Sequence, residues 1–202
     1  MVGERQRPGA LEVICGPMFS GKSEELIRRL RRVRIAKQRL QAFKPALDNR
    51  YDAVAIASHA ESRFEALPVA DSLELARHLD PEVEVVAIDE VQFFDEGLLD
   101  LVESLADRGL RVILAGLDMD SEGRPFGIMP QVLARAEHVL KLHAICTVCG
   151  AGASRTYRKV RSGGQVLVGA ADVYEARCRH CHQEPQAGVG VLQGAADSQS
   201  QS

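Results

Sequence analysis

Residues 16–23 constrain the fold most, because they match the pattern G-x-x-x-x-G-K-[ST] of phosphate-binding loops. The apolar run 11–15 before them predicts a short buried strand, and apolar residues at helical spacing from Leu26 to Val33 predict a helix after them. A loop in that setting aims backbone N–H groups and the positive end of a helix dipole at an anion. We therefore expect a nucleoside triphosphate site here. The alternative is a glycine turn that binds nothing.

Every residue of this loop is a candidate nucleotide contact. Lys22 is expected to neutralise the β- and γ-phosphates, and the Ser23 hydroxyl is expected to hold Mg²⁺. The glycines permit backbone conformations that other residues resist. The predicted contacts are Gly16, Pro17, Met18, Phe19, Ser20, Gly21, Lys22 and Ser23.

A second chemical feature is the acid pair Asp89 and Glu90, which ends the apolar run 83–88. A Walker B strand delivers a carboxylate to the metal in this way. Asp89 is therefore the candidate Mg²⁺ anchor, directly or through water, and Glu90 could take a proton from a hydroxyl nucleophile or position a water. Acids also end strands at solvent, which is the alternative interpretation.

The remaining pattern alternates strands with helices. Strands are predicted at 40–44 and 111–117, and helices at 72–79 and 96–108. Interleaved strands and helices indicate an α/β fold around a parallel sheet, in which ligands bind outside the carboxyl ends of the strands. Both candidate sites follow such ends.

Two C-x₂-C pairs near the C-terminus predict a zinc site. Each pair offers two thiolates from one turn, and two pairs complete a tetrahedral set. A disulfide or redox use is the alternative, and His180 or His182 could replace a cysteine as ligand. The predicted ligands are Cys146, Cys149, Cys178 and Cys181. The fifth cysteine, Cys15, is expected to be a small buried hydrophobe.

The segment between the cysteine pairs reads as a β-hairpin. A strand is predicted from Thr156 to residue 160, a glycine turn at 162–164 and a second apolar strand at 165–169. Tyr174 either stacks on a planar substrate or packs against the zinc module. The sequence pattern alone does not separate these two roles.

Composition and charge limit the classes of molecule that this protein is expected to bind. The chain has 202 residues, 46% of them apolar, and a formal net charge of −3. No long apolar run or secretory signal is visible, so we expect one cytoplasmic domain with a small appendage. The missing basic excess argues against nucleic acid or membrane partners. Arg28, Arg29 and Arg32 on the first helix fall opposite its apolar stripe, which favours a solvated or subunit-facing surface over a nucleic-acid face.

Taken together, the motifs resemble those of type II thymidine kinases. The resemblance runs from about Leu11 to His182, and its motifs occur in the family's order. They are the loop 16–23, the K-P-x-x-D-x-R-Y segment 44–51, the D-E-x-Q-F-F run 89–94, P-F-G at 125–127, and the cysteine pairs with V-G-A-x-D-x-Y-E at 168–175.

The resemblance implies transfer of the γ-phosphate of ATP to the 5′-hydroxyl of thymidine, giving dTMP and ADP. It implies a RecA-like phosphate-loop fold, a lasso bound to structural Zn²⁺ over the nucleoside, and a cytoplasmic homotetramer inhibited by dTTP. We expect a kinase domain at 10–142 and the zinc lasso at 143–184. The polar ends, 1–9 and 185–202, are expected to be disordered.

The resemblance also assigns roles by position. Glu90 would accept the 5′-hydroxyl proton, and Lys22 with Arg50 would steady the transferring phosphoryl group. The nucleotide would also meet Asp89, Glu90, Val91 and Gln92. The expected thymidine contacts are Met18, Arg50, Phe93, Leu117, Phe126, Thr156, Leu167, Val168, Gly169 and Tyr174. Ser121 departs from the family, which commonly has phenylalanine there, so the breadth of nucleosides accepted is less constrained than the reaction.

Overall fold

A computed structural model describes residues 8–46, 55–57, 63–159 and 173–183. The strands within these residues are β1 (Ala10–Cys15), β2 (Leu40–Pro45), β3 (Ala55–Ala57), β4 (Arg63–Glu65), β5 (Leu67–Val69), β6 (Val85–Ile88), β7 (Arg111–Gly116), β8 (His138–Lys141), β9 (Ala144–Ile145), β10 (Gly152–Ala153), β11 (Arg155–Arg158) and β12 (Tyr174–Arg177). The helices are α1 (Lys22–Ile35), α2 (Ser72–His78), α3 (Gly97–Asp107), α4 (Met129–Arg135) and α5 (Arg179–Gln183), and a 3₁₀ turn spans Val91–Phe93.

Six parallel strands form the central sheet, in the order β5-β2-β6-β7-β1-β8. β7 lies between β6 and β1, so that Arg111 pairs with Val85 on one side and with Ala10 on the other. Because all neighbouring pairs are parallel, the loops that follow β1, β6 and β7 leave the sheet at the same edge. The predicted α/β fold is confirmed, and the phosphate loop and the acid pair share that edge.

Helices cover both faces of the sheet. Side chains of successive strand residues point to opposite faces, so they pack in two separate hydrophobic cores. Ile14 joins the core under α1, whereas Val13 joins the core under α2, α3 and α4. The four apolar residues predicted to form the stripe of α1 are each at most 1% exposed, and they are Leu26, Ile27, Leu30 and Val33. This burial, more than helix propensity, holds α1 and its N-terminus against the sheet.

The arginine-rich face of α1 is tied into ion pairs. Glu25 binds Arg28 at 2.6 Å and Arg29 at 2.8 Å, and Arg29 also reaches Glu12 on β1 at 2.6 Å. Glu12 in turn binds Arg111 of β7 at 2.6 Å. Arg28 is exposed as predicted, but Arg29 is half-buried against the sheet and is not part of a solvated face.

A small C-terminal unit follows β8. β9 pairs antiparallel with β10, and β11 with β12, around a core that includes Ala144, Ala153 and Ala176. The strand predicted from Thr156 is confirmed as β11, and its partner is β12. The predicted turn at 162–164 and strand at 165–169 lie outside the described residues.

The longest helix described, α1, has 14 residues. No helix in the described ranges combines the length and the apolar character that a bilayer crossing requires.

Candidate functional site

The loop between β1 and α1 has the backbone of an anion cradle. Gly16 has φ +141°, and a Cβ there would lie 2.4 Å from the carbonyl oxygen of Leu142. Gly21 has φ +84°, and Phe19 adopts the left-handed region at φ +65° despite its side chain. From residue 19 to residue 22 the sign of φ alternates, because Phe19 and Gly21 have positive φ and the residues after each of them do not. Phosphate-binding nests use alternation of this kind.

Lys22 is held on this loop. Its Nζ donates to the carbonyl oxygen of Pro17 at 2.7 Å, and Ser20 Oγ donates to the same oxygen at 2.8 Å. Burial lowers the pKa of Lys22, while the charges of Glu90 and Asp89 act in the opposite direction. Because α1 begins at Lys22, Ser23 lies in the first helical turn beside it. Lys22 and Ser23 thus lie together at the start of α1, and their roles toward phosphate and Mg²⁺ stay predictions.

Asp89 and Glu90 leave the end of β6 together. Asp89 is 7% exposed, and its N–H donates to the carbonyl oxygen of Phe43 on β2 at 3.0 Å. Burial raises the pKa of Asp89 to about 7, and the charge of Glu90 adds to this effect. Asp89 Oδ1 accepts the N–H of Glu90 at 2.9 Å. Two adjacent carboxylates in such a place favour a nearby cation, which agrees with the expected Mg²⁺ anchor.

Glu90 takes an unusual backbone conformation. At φ +53° and ψ +41° it occupies the left-handed region, which costs a residue with a side chain about 1 kcal/mol. Its carboxylate oxygen Oε2 accepts a hydrogen bond from Nε2 of Gln92. Val91, between them, has its side chain in the hydrophobic core, so its remaining route to a nucleotide is the backbone.

Several of the expected pocket residues lie side by side. Phe93 meets Phe126 edge to face, with ring centroids 5.5 Å apart. The N–H of Leu117, just after β7, donates to Gln92 Oε1 at 3.0 Å. Tyr174 is 7% exposed on β12. Arg50, Leu167, Val168 and Gly169 lie outside the described residues.

Thr156 joins the small C-terminal unit formed by β9 to α5, called the zinc-side unit below, to the phosphate loop. Its Oγ1 accepts the N–H of Met18 at 3.0 Å, and Thr156 itself is 4% exposed. Phe19 packs against the small core that contains Cys146 and Cys181. The structure therefore brings Met18 and Thr156 together, two residues that the family resemblance assigns to one pocket.

Asp118 and Lys141 are charged residues at the same edge that the sequence analysis did not single out. Lys141 Nζ lies 2.6 Å from Asp118 Oδ2, and the aspartate side chain is 5% exposed. Asp118 Oδ1 is buried without a hydrogen-bond partner in the described part of the chain. The sequence pattern could have identified Asp118, because it follows the buried strand β7 much as Asp89 follows β6.

The loop that carries Ser121 is fastened to the zinc-side unit. His182 Nε2 lies 2.9 Å from the carbonyl oxygen of Ser121, and Arg155 Nη1 donates to the carbonyl oxygen of Gly123 at 3.3 Å. Gly123 has φ +77°, and a Cβ there would come 2.5 Å from Arg155 Nη1. His182 is therefore tied to this loop through Nε2, and the group of possible metal ligands in the described residues consists of the four cysteines.

The four predicted zinc ligands converge. The sulfur atoms of Cys146, Cys149, Cys178 and Cys181 all lie within 4.8 Å of one another. Cys149 and Cys178 have sulfurs 3.7 Å apart, close to the spacing of about 3.8 Å that follows from tetrahedral zinc with bonds of about 2.3 Å. That distance is far beyond a disulfide bond of about 2.05 Å, and the described cysteines are all free thiols.

The local turns explain the convergence. Gly150, at φ +74°, donates its N–H to the carbonyl oxygen of Cys146 at 2.9 Å, which closes the first turn. In the second, α5 presents Cys181, whose N–H donates to Cys178 Sγ at 3.4 Å. Burial and the neighbouring thiols raise the pKa of Cys181 to about 12. For Cys146, burial raises the pKa but hydrogen bonds from neighbouring backbone N–H groups outweigh it and lower the pKa to about 6. Four converging sulfurs in this arrangement fit a structural Zn²⁺.

Comparison with known proteins gives two findings. Residues 9–182 match the family described as thymidine kinase, a span that holds the phosphate loop, the acid pair and the four clustered cysteines. Among solved structures, the crystal structure of flagellar accessory protein FlaH from Methanocaldococcus jannaschii is similar, with 12% identity, a TM-score of 0.48, and coverage of 74% of this chain and 77% of that chain. Since the family match spans most of the sequence, this chain belongs to the thymidine kinase family.

Proposed function

We propose that this protein transfers the γ-phosphate of ATP to the 5′-hydroxyl of thymidine, giving dTMP and ADP. The observation that carries the proposal is the placement of Lys22, Asp89 and Glu90 at one sheet edge, beside the aromatic pair Phe93 and Phe126. Membership of the thymidine kinase family supports a kinase that acts on thymidine.

The phosphate loop would hold the triphosphate through its backbone N–H groups. Lys22 would neutralise charge on the transferring phosphoryl group, assisted by Arg50, as the resemblance implies. Ser23 and Asp89 would hold Mg²⁺, which would offset negative charge on the triphosphate. Positioning and charge neutralisation of this kind supply most of the acceleration in phosphoryl transfer.

Glu90 would accept the proton of the 5′-hydroxyl. Its carboxylate is half-buried, follows the metal-anchoring Asp89 directly, and is held by the Gln92 amide. A base fixed within hydrogen-bond reach of the hydroxyl is what this role requires.

The thymine ring would lie among Phe93, Leu117 and Phe126, with Tyr174 and the segment 167–169 completing the pocket. Thr156 accepts the Met18 N–H through its oxygen, so its hydroxyl hydrogen can still donate to a base carbonyl. The mixture of aromatic walls and few polar contacts suits a neutral planar base.

The zinc-bound segment 143–184 would act as a lasso on the kinase domain 10–142.

We further propose that the protein is a cytoplasmic homotetramer, as the resemblance implies, and that dTTP inhibits it. One dTTP molecule could fill the nucleoside pocket and place its phosphates near Lys22. Sedimentation at several protein concentrations tests the tetramer. Inhibition that rises with dTTP, but not with an unrelated triphosphate such as dCTP, tests the second claim.

One assay separates this proposal from a nucleic-acid-stimulated ATPase. ATP turnover is measured with thymidine, with single-stranded DNA and with neither; we expect turnover with thymidine alone. Turnover that rises only with DNA would reject the kinase. The carboxylates paired with Arg28 and Arg29 already count against a DNA-binding face on α1.

A further inference from the structure

The side chain of Gln92 connects two parts of the site. Its Nε2 donates to Glu90 Oε2, and its Oε1 accepts the N–H of Leu117 at 3.0 Å. Gln92 is 3% exposed, so both bonds lie in the interior, where leaving an amide group unpaired is costly. One side chain therefore spans the catalytic carboxylate and the end of β7.

Two glycines lie close to Gln92. A Cβ on Gly116 would come 2.7 Å from Gln92 Oε1, and a Cβ on Gly127 would come 2.3 Å from the Gln92 carbonyl oxygen. Gly127 also has φ +50°, which favours glycine on conformational grounds. Glycine at 116 therefore leaves room for the Gln92 amide, and glycine at 127 leaves room for its carbonyl group.

The Glu90 carboxylate gains its orientation from that amide. Glutamate has three side-chain torsions, and the carboxylate at its tip would otherwise sample several directions. Because a carboxylate is planar, a donor that fixes Oε2 also sets the direction of Oε1. The donor to Oε2 leaves the second oxygen, Oε1, as the atom that would take a proton.

We propose that Gln92 is a positioning residue: it holds Glu90 in the orientation that accepts the hydroxyl proton, and it couples that carboxylate to Leu117 at the nucleoside pocket. The inference rests on the proposed function. It gives Gln92 a role different from the nucleotide contact that the family resemblance implies. The glutamine acts through Glu90 and need not touch either substrate.

The test begins with Gln92→Met, which keeps the length of the side chain and removes both hydrogen bonds. We expect kcat to fall about 10²-fold, the cost of a misplaced catalytic group, while KM for ATP changes by less than about twofold. Gln131→Met is the matched control, because Gln131 is exposed on α4, and it should behave as the wild type. Melting temperature and zinc content identify a variant that has failed to fold.

Gln92→Glu provides a second, independent variant. It keeps an acceptor for the Leu117 N–H, and with both carboxyl groups ionised it offers Glu90 no donor. At a pH high enough to ionise both groups, kcat should therefore fall as in Gln92→Met while KM for thymidine stays within about twofold of the wild type. If neither variant lowers kcat in a wild-type enzyme that phosphorylates thymidine, the inference is wrong and the proposed function stands. If the wild type does not phosphorylate thymidine, the proposed function itself fails.

A double-mutant cycle distinguishes positioning from general structural support. If Gln92 acts through Glu90, adding Gln92→Met to Glu90→Gln should lower kcat by less than about threefold. A loss of about 10²-fold in both backgrounds would mean that Gln92 supports the fold and not the carboxylate, which overturns the inference.

Discussion

The N–H of Met18 donates a 3.0 Å hydrogen bond to Thr156 Oγ1, which joins the phosphate loop to β11. Thr156 pairs in register with Ala176 on β12, and β12 runs directly into Cys178. One hydrogen bond and one pair of strands therefore connect the backbone of the phosphate loop to the predicted zinc ligand Cys178. Metal binding and nucleotide binding should consequently be coupled in this protein.

Removing the Thr156 hydroxyl should weaken nucleotide binding. Thr156→Val keeps the shape of the side chain and leaves the Met18 N–H unpaired, which should cost about 1 kcal/mol, or about fivefold in affinity. The measurement is the Kd of a non-hydrolysable ATP analogue without thymidine, so that any contact of Thr156 with the base does not contribute. Thr156→Ser retains the acceptor and should bind as the wild type does. Equal affinity of the valine variant would show that the bond does not support the loop.

Loss of a zinc ligand should also weaken nucleotide binding, although the cysteines do not lie in the phosphate loop. We expect one zinc per chain by elemental analysis, and Cys149→Ser should lose it together with part of the affinity for the ATP analogue. Cys15→Ala removes the buried thiol outside the cluster and should retain the metal. Disulfide-bonded protein without metal would contradict the assignment of the four cysteines.

Neutralising Glu90 should affect the chemical step and not binding. Glu90→Gln should lower kcat by about 10²- to 10⁴-fold, the range for loss of a general base, with little change in the Kd of thymidine. Glu96→Gln alters an exposed carboxylate just before α3 and serves as the control. A parallel loss of affinity and rate in Glu90→Gln would indicate that Glu90 holds the substrate in the ground state.

The ion pairs of α1 predict a pH dependence of stability. Hydrogen bonds from Arg28, with a further contribution from Arg29, lower the pKa of Glu25 from 4.5 to about 2. Since the folded pKa lies below the unfolded value, the contribution is complete above pH 4.5 and is lost as the pH falls toward 2. Solvent screens the exposed Arg28, so Glu25→Gln should lower the free energy of unfolding by only about 1 kcal/mol near neutral pH.

Chemical unfolding of the wild type and Glu25→Gln across this pH range checks that prediction. The difference between them should shrink steadily below pH 4.5. Glu24→Gln changes the neighbouring residue, which forms no ion pair among the residues that the structure describes, and should show little pH-dependent difference. A difference for Glu25→Gln that stays constant with pH would argue that the ion pairs do not contribute.

Sequence periodicity predicted the local elements well. The stripe from Leu26 to Val33 is buried, the strands before residues 16–23 and before Asp89 both occur, and the two cysteine pairs converge. Each of these features is encoded within a few neighbouring residues, through the spacing of apolar side chains or of thiols. Local patterns of this kind survive in the folded protein because tertiary packing reinforces them.

Contacts between distant segments were beyond the same reasoning. Met18 and Thr156 are 138 residues apart, and their hydrogen bond depends on how the C-terminal unit packs on the sheet edge. Arg29 meets Glu12 because α1 lies on the face of the sheet beside β1. Strand order decides such contacts, and periodicity carries no information about strand order.

The most direct test of the account is the position of the transferred phosphate. The protein is incubated with ATP labelled in the γ-phosphate and with thymidine, 3′-deoxythymidine or 5′-deoxythymidine, and the labelled nucleotide is separated. We expect labelled product from the first two nucleosides and none from 5′-deoxythymidine, and Glu90→Gln should slow both reactions. Label on 5′-deoxythymidine, or no labelled nucleotide from thymidine with folded, zinc-loaded protein, would contradict it.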